Sequence, residues 1–85
     1  MSDWHVYLLR CSDKSLYAGI TLDLERRLDE HNNHNKLAAA YTRARRPVKL
    51  VYSEVCRDRS HAGQREAAIK KMTKQQKEKL VKQNQ

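Results

Sequence analysis

VYLLRCSDKSLYAGITLDLERRLDEH, residues 6–31, is the stretch whose pattern decides the fold. With Trp4 and His5 ahead of it, WHVYLLR is rich in strand formers, and Leu16–Ile20 (LYAGI) is a second short run of the same kind. The turn residues of Cys11–Ser15 lie between them, so the two runs read as a hairpin. A loop of odd length pairs positions whose numbers sum to an even value. Tyr7, Leu9, Tyr17 and Gly19 then share one face, and Trp4, Val6, Leu8 and Ile20 share the other. Thr21 or Asp23 can cap the helix that follows, with Leu24 and Leu28 as its buried stripe. At about 100° per residue His31 falls in line with that stripe, and Arg27 sits about 60° to one side. The helix fades in the Asn-rich segment from Asn32 to Asn35.

Outward from this core, KLAAAYTRARRP is a linking segment with room for one short helical turn, ending at Pro47. Val48–Val55 alternates as a third strand. Ser60 is positioned to cap a helix running through Met72, with Ala62, Ile69 and Met72 facing inward. Thr73 and Gln76 fit a capping box for a last helix that runs to about Lys82. The expected architecture is α/β (α+β) in the order β-β-α-β-α-α: a small three-stranded antiparallel sheet flanked by helices. At 85 residues there is room for one domain, 1–85, with a core of about 3–82.

Eighteen Lys and Arg against ten Asp and Glu give a net charge of +8. A folded domain this basic usually meets a polyanion, because each neutralised phosphate releases counterions. The charges are grouped: Arg43, Arg45, Arg46 and Lys49 form one cluster, and Lys70, Lys74 and Lys77 belong to a second along the C-terminal helices. Cys11 and Cys56 lack CxxC spacing, and no signal peptide precedes them. They read as reduced thiols of a soluble, cytoplasmic protein. The longest apolar runs, VYLL and LAAAY, are far short of a membrane span. Two glycines cannot build a P-loop or a GxGxxG turn, and four histidines with two cysteines lack zinc spacing.

Glu66 is the most unusual placement, lying between Ala62 and Ile69 on the apolar side of its helix. A carboxylate beside an apolar stripe needs a cation. Taken alone, its ordinary reading is a rim Glu paired with Lys70 at i+4. Arg27 and His31, at i and i+4, point the same way from one helix. The Arg suits a phosphate and the His proton transfer, although a solvated Arg beside a half-buried His is the commoner arrangement. Tyr7 and Tyr17 are, alone, ordinary strand aromatics.

Together these residues resemble the GIY-YIG nuclease superfamily. VYL stands for its GIY element, and YAG, with nine residues between Tyr7 and Tyr17, stands for its YIG element. The resemblance places the family's catalytic Arg at Arg27, ten residues after the second Tyr, a His at His31, and the metal-binding Glu at Glu66 within REAAIKKM. YTRARRPVKLVYSE and the C-terminal stretch look like the short single-domain bacterial branch, the UPF0213-like proteins. Two departures stand out. Ile20 occupies the position of a Lys in the excision-repair branch, and the last helix offers no Asn before Asn84.

The resemblance implies a metal-dependent endonuclease of low sequence specificity that hydrolyses DNA phosphodiester bonds. It further implies a structure-specific role linked to repair or recombination, with room for a protein partner that supplies substrate specificity. Glu66 would hold Mg²⁺ or Mn²⁺, and Arg27 would neutralise phosphoryl charge. Tyr7 is the preferred general base, with His31 the alternative, and Tyr17 assists. The basic residues Arg43, Arg45, Arg46, Lys49, Lys70, Lys74 and Lys77 would hold the nucleic-acid backbone, and Gly19 is structural, leaving room over the Tyr7 phenol for a phosphate. All five site residues are expected on one shallow basic surface. The competing reading is a catalytically weak or inactive nucleic-acid-binding module or accessory subunit.

Overall fold

The computed structural model describes residues 3–83; Asn84 lies outside them. Strands β1 (Trp4–Arg10), β2 (Leu16–Thr21) and β3 (Lys49–Cys56) form one antiparallel sheet in the order β2-β1-β3. Helices α1 (Leu24–Asn33) and α2 (Ala40–Arg43) lie between β2 and β3, and α3 (Arg59–Lys70) and α4 (Lys74–Gln83) follow β3. The element order is therefore the expected one, with α2 as the added helical turn.

Strand β1 is central and covered on both faces, which is why Val6, Tyr7, Leu8 and Leu9 are all buried and show no alternation in exposure. On one face Val6, Leu8 and Ala18 pack with Ala62 and Ile69 of α3 and Val81 of α4. On the other, Tyr7, Leu9 and Cys11 pack with Val48, Tyr17 and the α1 stripe Leu24 and Leu28. The hairpin register pairs Tyr7 with Gly19 and Leu9 with Tyr17, which sets both tyrosines on the α1 face. Fully burying side chains such as Leu8 and Ile69 contributes about 1.5–3 kcal/mol each. Ion pairs clamp the periphery: Arg10 donates twice to Glu78 of α4, at 2.5 and 2.6 Å, and Arg65 of α3 donates twice to Glu54 of β3.

The Asp58 cap of α3 and the bulge in β3 differ from the sequence reading, while the α1 cap, the capping box and the free cysteines follow it. Helix α1 is capped by Asp23, whose carboxylate accepts from the Arg26 amide, while the Thr21 hydroxyl accepts from the Asp23 amide. Helix α3 is capped by Asp58 rather than Ser60: the Asp58 carboxylate accepts from the His61 amide at 2.8 Å, so the helix starts earlier and ends at Lys70. Strand β3 carries a bulge, since Leu8 pairs with Tyr52 and Leu9 with Leu50, leaving Val51 as the extra residue. The Thr73–Gln76 capping box forms in both directions. Cys11 and Cys56 are free and buried, in different layers and at opposite ends of β1.

Candidate active site

The α1 face of the hairpin gathers four of the five expected site residues. Tyr7 Oη lies 2.9 Å from His31 Nε2. The other ring nitrogen, Nδ1, lies 2.7 Å from Thr42 Oγ1, and the Thr42 hydroxyl donates to the Ala39 carbonyl at 3.0 Å. Tyr17 meets His31 edge-on, with ring centroids 5.4 Å apart. The result is a buried polar line from β1 through α1 to α2. His31 and Thr42 are both fully enclosed.

Gly19 fits under this line for a reason of space. A Cβ built on it would meet the Tyr7 oxygen and lie 2.6 Å from Tyr7 Cζ. The phenol itself fills the place where a side chain would go. This corrects the expectation that the glycine leaves room for a phosphate: the room is occupied by the tyrosine.

Arg27 lies beside the Tyr7 phenol, and its charge partly opposes the effect of burial, which pushes the phenol pKa up to about 12. The Arg27 guanidinium donates to Glu30 at 2.9 Å and to the Leu37 carbonyl at 2.7 Å. Burial, reinforced by the charge of Arg27, pushes His31 down to about 4, so its ring is neutral at pH 7. The neutral ring has one nitrogen to donate and one to accept, and both are engaged.

Glu66 comes from a different element, α3. Its helix packs Ala62 and Ile69 on the Val6–Leu8 layer, opposite the layer that holds Tyr7, and its carboxylate pairs with Lys70 Nζ at 3.5 Å. Its charge nonetheless reaches Tyr7, adding to the upward push on the phenol. Helix α3 touches both β1 and the edge strand β2, the two strands that carry Tyr7 and Tyr17. Among the described residues, no group of three or more His, Cys, Asp or Glu could hold a metal ion.

The basic cluster before β3 is bound up in the fold. Arg46 donates to the His31 carbonyl at 2.7 Å and to Asn35, leaving Nη2 buried without a partner. Arg43 donates to the Asn35 carbonyl. Arg45 donates to Asp13 and lies 3.9 Å over the Tyr41 ring, which in turn stacks on Tyr17. Lys49 is exposed on β3, Lys74 donates to the Lys14 carbonyl, and Lys77 is half-buried on α4. Sequence reasoning missed Glu30, Tyr41 and Thr42. Glu30 was available from its i+3 spacing to Arg27, whereas Thr42 meets His31 only through the tertiary fold.

The chain matches the GIY-YIG catalytic domain over residues 3–79. It is 54% identical over 79 residues to the UPF0213 protein DP2720 of Desulfotalea psychrophila, covering 93% of this chain and 71% of that protein. It is 52% identical over 84 residues to a UPF0213 protein of Syntrophus aciditrophicus, covering 99% and 95%. Among solved structures it is similar to the solution NMR structure of EF2693 from E. faecalis, with a TM-score of 0.62 and 45% identity over 98% of this chain and 85% of that one. The NMR structure of the UPF0213 protein BH0048 from Bacillus halodurans is also similar, with a TM-score of 0.59 and 35% identity, covering 94% of this chain and 83% of that one.

Proposed function

The chain belongs to the GIY-YIG family, in its short UPF0213 branch, and on that premise we propose that it is a metal-dependent endonuclease hydrolysing DNA phosphodiester bonds. The observation that carries this reading is the Tyr7–His31 contact with Arg27 beside the phenol. It supplies a proton acceptor backed by a second acceptor, next to a cation suited to a phosphoryl group.

In this reading Tyr7 is the general base. The attacking water gives its proton to Tyr7 Oη as the phenol proton passes to His31 Nε2, and the water oxygen attacks phosphorus opposite the 3′ oxygen that leaves. Arg27 turns from Glu30 toward the phosphate and neutralises the charge that develops on it. Tyr17 holds the far edge of the His31 ring. Glu66, part-exposed and paired with Lys70, fits an ion that keeps most of its water shell, so Mg²⁺ or Mn²⁺ suits it. Such an ion, when bound, would supply charge neutralisation to the phosphoryl transfer.

Binding rests on the backbone, through Lys49, Lys70, Lys74, Lys77 and the Arg43–Arg46 cluster, which gives low sequence specificity. Flapped, branched or single-stranded DNA in repair or recombination is the substrate class this proposal favours, with the whole chain acting as one cytoplasmic domain of core 3–82 and a protein partner adding specificity. No helix of the described residues is long and apolar enough to cross a membrane. The alternative of a catalytically weak binding module draws on the resting Arg27–Glu30 pair and on Ile20. The test is cleavage of labelled linear, flapped, branched and single-stranded DNA with Mg²⁺ or Mn²⁺, beside Glu66→Ala. Cutting by the wild type and not by the variant is expected. Equal cutting by both, or none by the wild type on any substrate, counts against the proposal.

A further inference from the structure

We infer that Thr42 is a positioning residue whose hydroxyl holds His31 as the Nδ1–H tautomer, keeping a bare ring nitrogen against the Tyr7 phenol. Its catalytic consequence rests on the reading of Tyr7 as the base; the tautomer itself does not.

A threonine hydroxyl has one proton and two lone pairs, and a neutral imidazole has one donor and one acceptor. Two assignments therefore fit the distances. In the first, the Thr42 hydroxyl donates to the Ala39 carbonyl, His31 Nδ1–H donates to Thr42 Oγ1, and the Tyr7 hydroxyl donates to the bare Nε2. Every donor in the line then has an acceptor. In the second, the Thr42 hydroxyl turns to Nδ1 and Nε2–H donates to the phenol oxygen. The phenol proton must then point elsewhere, and among the described residues the Tyr7 oxygen has no hydrogen-bond acceptor within reach except that same ring nitrogen, Arg27 beside it having only donors. The second assignment strands a proton on a tyrosine that is 2% exposed, so the first is favoured.

A third state, the imidazolium, is opposed by burial of His31 and by the nearby charges of Arg27 and Arg46, with Glu30 acting the other way. Tyr7 from β1 and Tyr17 from β2 complete the groups around the ring. His31 is thus neutral and, with Thr42 in place, ready to accept. In the opposite tautomer the ring would donate to the phenol and could not take its proton. Thr42 acts two hydrogen bonds away from the reacting atoms.

The test is long-range nitrogen–proton NMR of the histidine rings in the intact, nucleic-acid-free protein at pH 7, for wild type, Thr42→Ser and Thr42→Val. The expected result places the His31 proton on Nδ1 in the wild type and in Thr42→Ser, and raises the Nε2–H share in Thr42→Val, where Nδ1–H is left without its acceptor. Single-turnover cleavage should fall about a hundredfold in Thr42→Val, at the low end for a proton-transfer step, and return in Thr42→Ser. A wild-type proton on Nε2 overturns the inference even if Thr42→Val fails to fold. So does a Thr42→Val protein with unchanged tautomer and rate. A wild type with the proton on Nδ1 that cleaves nothing would instead overturn the nuclease proposal and leave the tautomer assignment standing.

Discussion

Replacing Gly19 by Ala puts a single methyl where the Tyr7 phenol lies. The backbone at Gly19 is not in the left-handed region, so dihedral angles alone would permit the change. At such a permissive position Gly→Ala is expected to stabilise by about 0.4–1 kcal/mol through the unfolded chain. Space decides the opposite. The added Cβ would lie 2.6 Å from Tyr7 Cζ and 3.1 Å from Cε2, against an ordinary carbon separation of about 3.5–4.0 Å. The ring must therefore shift by roughly 1 Å, taking the phenol oxygen off His31 Nε2. Overpacking of this kind costs about 1–3 kcal/mol. At about 2 kcal/mol, thermal unfolding followed by circular dichroism should move down by roughly 8–16 °C for a domain of this size. A Gly19→Ala protein as stable as wild type, or more so, would show that Tyr7 does not lie across the glycine.

Three further outcomes are expected. His31 has its pKa lowered from 6.5 to about 4, so its neutral form is the one that favours folding. That stability is complete above pH 6.5 and is lost as pH falls toward 4. Denaturant titrations should show a loss of about 2–3 kcal/mol over that window, absent from His31→Gln. Cys11 and Cys56 should both be alkylated in denaturant without reductant, because they sit in different layers of the sheet. Arg46→Ala should lower the melting temperature as well as nucleic-acid affinity, since it loses its bonds to His31 and Asn35. Lys49→Ala, on the exposed surface, should reduce only affinity and the steepness of its decline with salt.

The hairpin was legible because an odd loop and a period of two leave one register, and Tyr7 opposite Gly19 follows from it. Helix α1 was legible through Leu24, Leu28 and the Asp23 cap, and the last helix through Thr73 and Gln76. Asp58 and Ser60 are two cap candidates two residues apart, and propensity does not choose between them; the carboxylate that reaches the His61 amide does. The bulge at Val51 depends on pairing with β1 and has no local signal. For Glu66, the helical period correctly put it beside Ala62 and Ile69. Which layer of the sheet that stripe would cover is settled by packing between elements. Thr42 was invisible for the same reason: eleven residues separate it from His31, and only the turn into α2 brings them together.

The most direct measurement of the central claim is the single-turnover rate of DNA cleavage by Tyr7→Phe against wild type, with Mg²⁺ or Mn²⁺ and protein in excess. Phe keeps the ring across Gly19 and removes only the oxygen bonded to His31. The folded domain should persist in circular dichroism while the rate drops about a hundredfold or more, the scale of a lost general base. Wild-type cleavage matched by Tyr7→Phe would contradict the assignment of Tyr7 as the group that takes the proton.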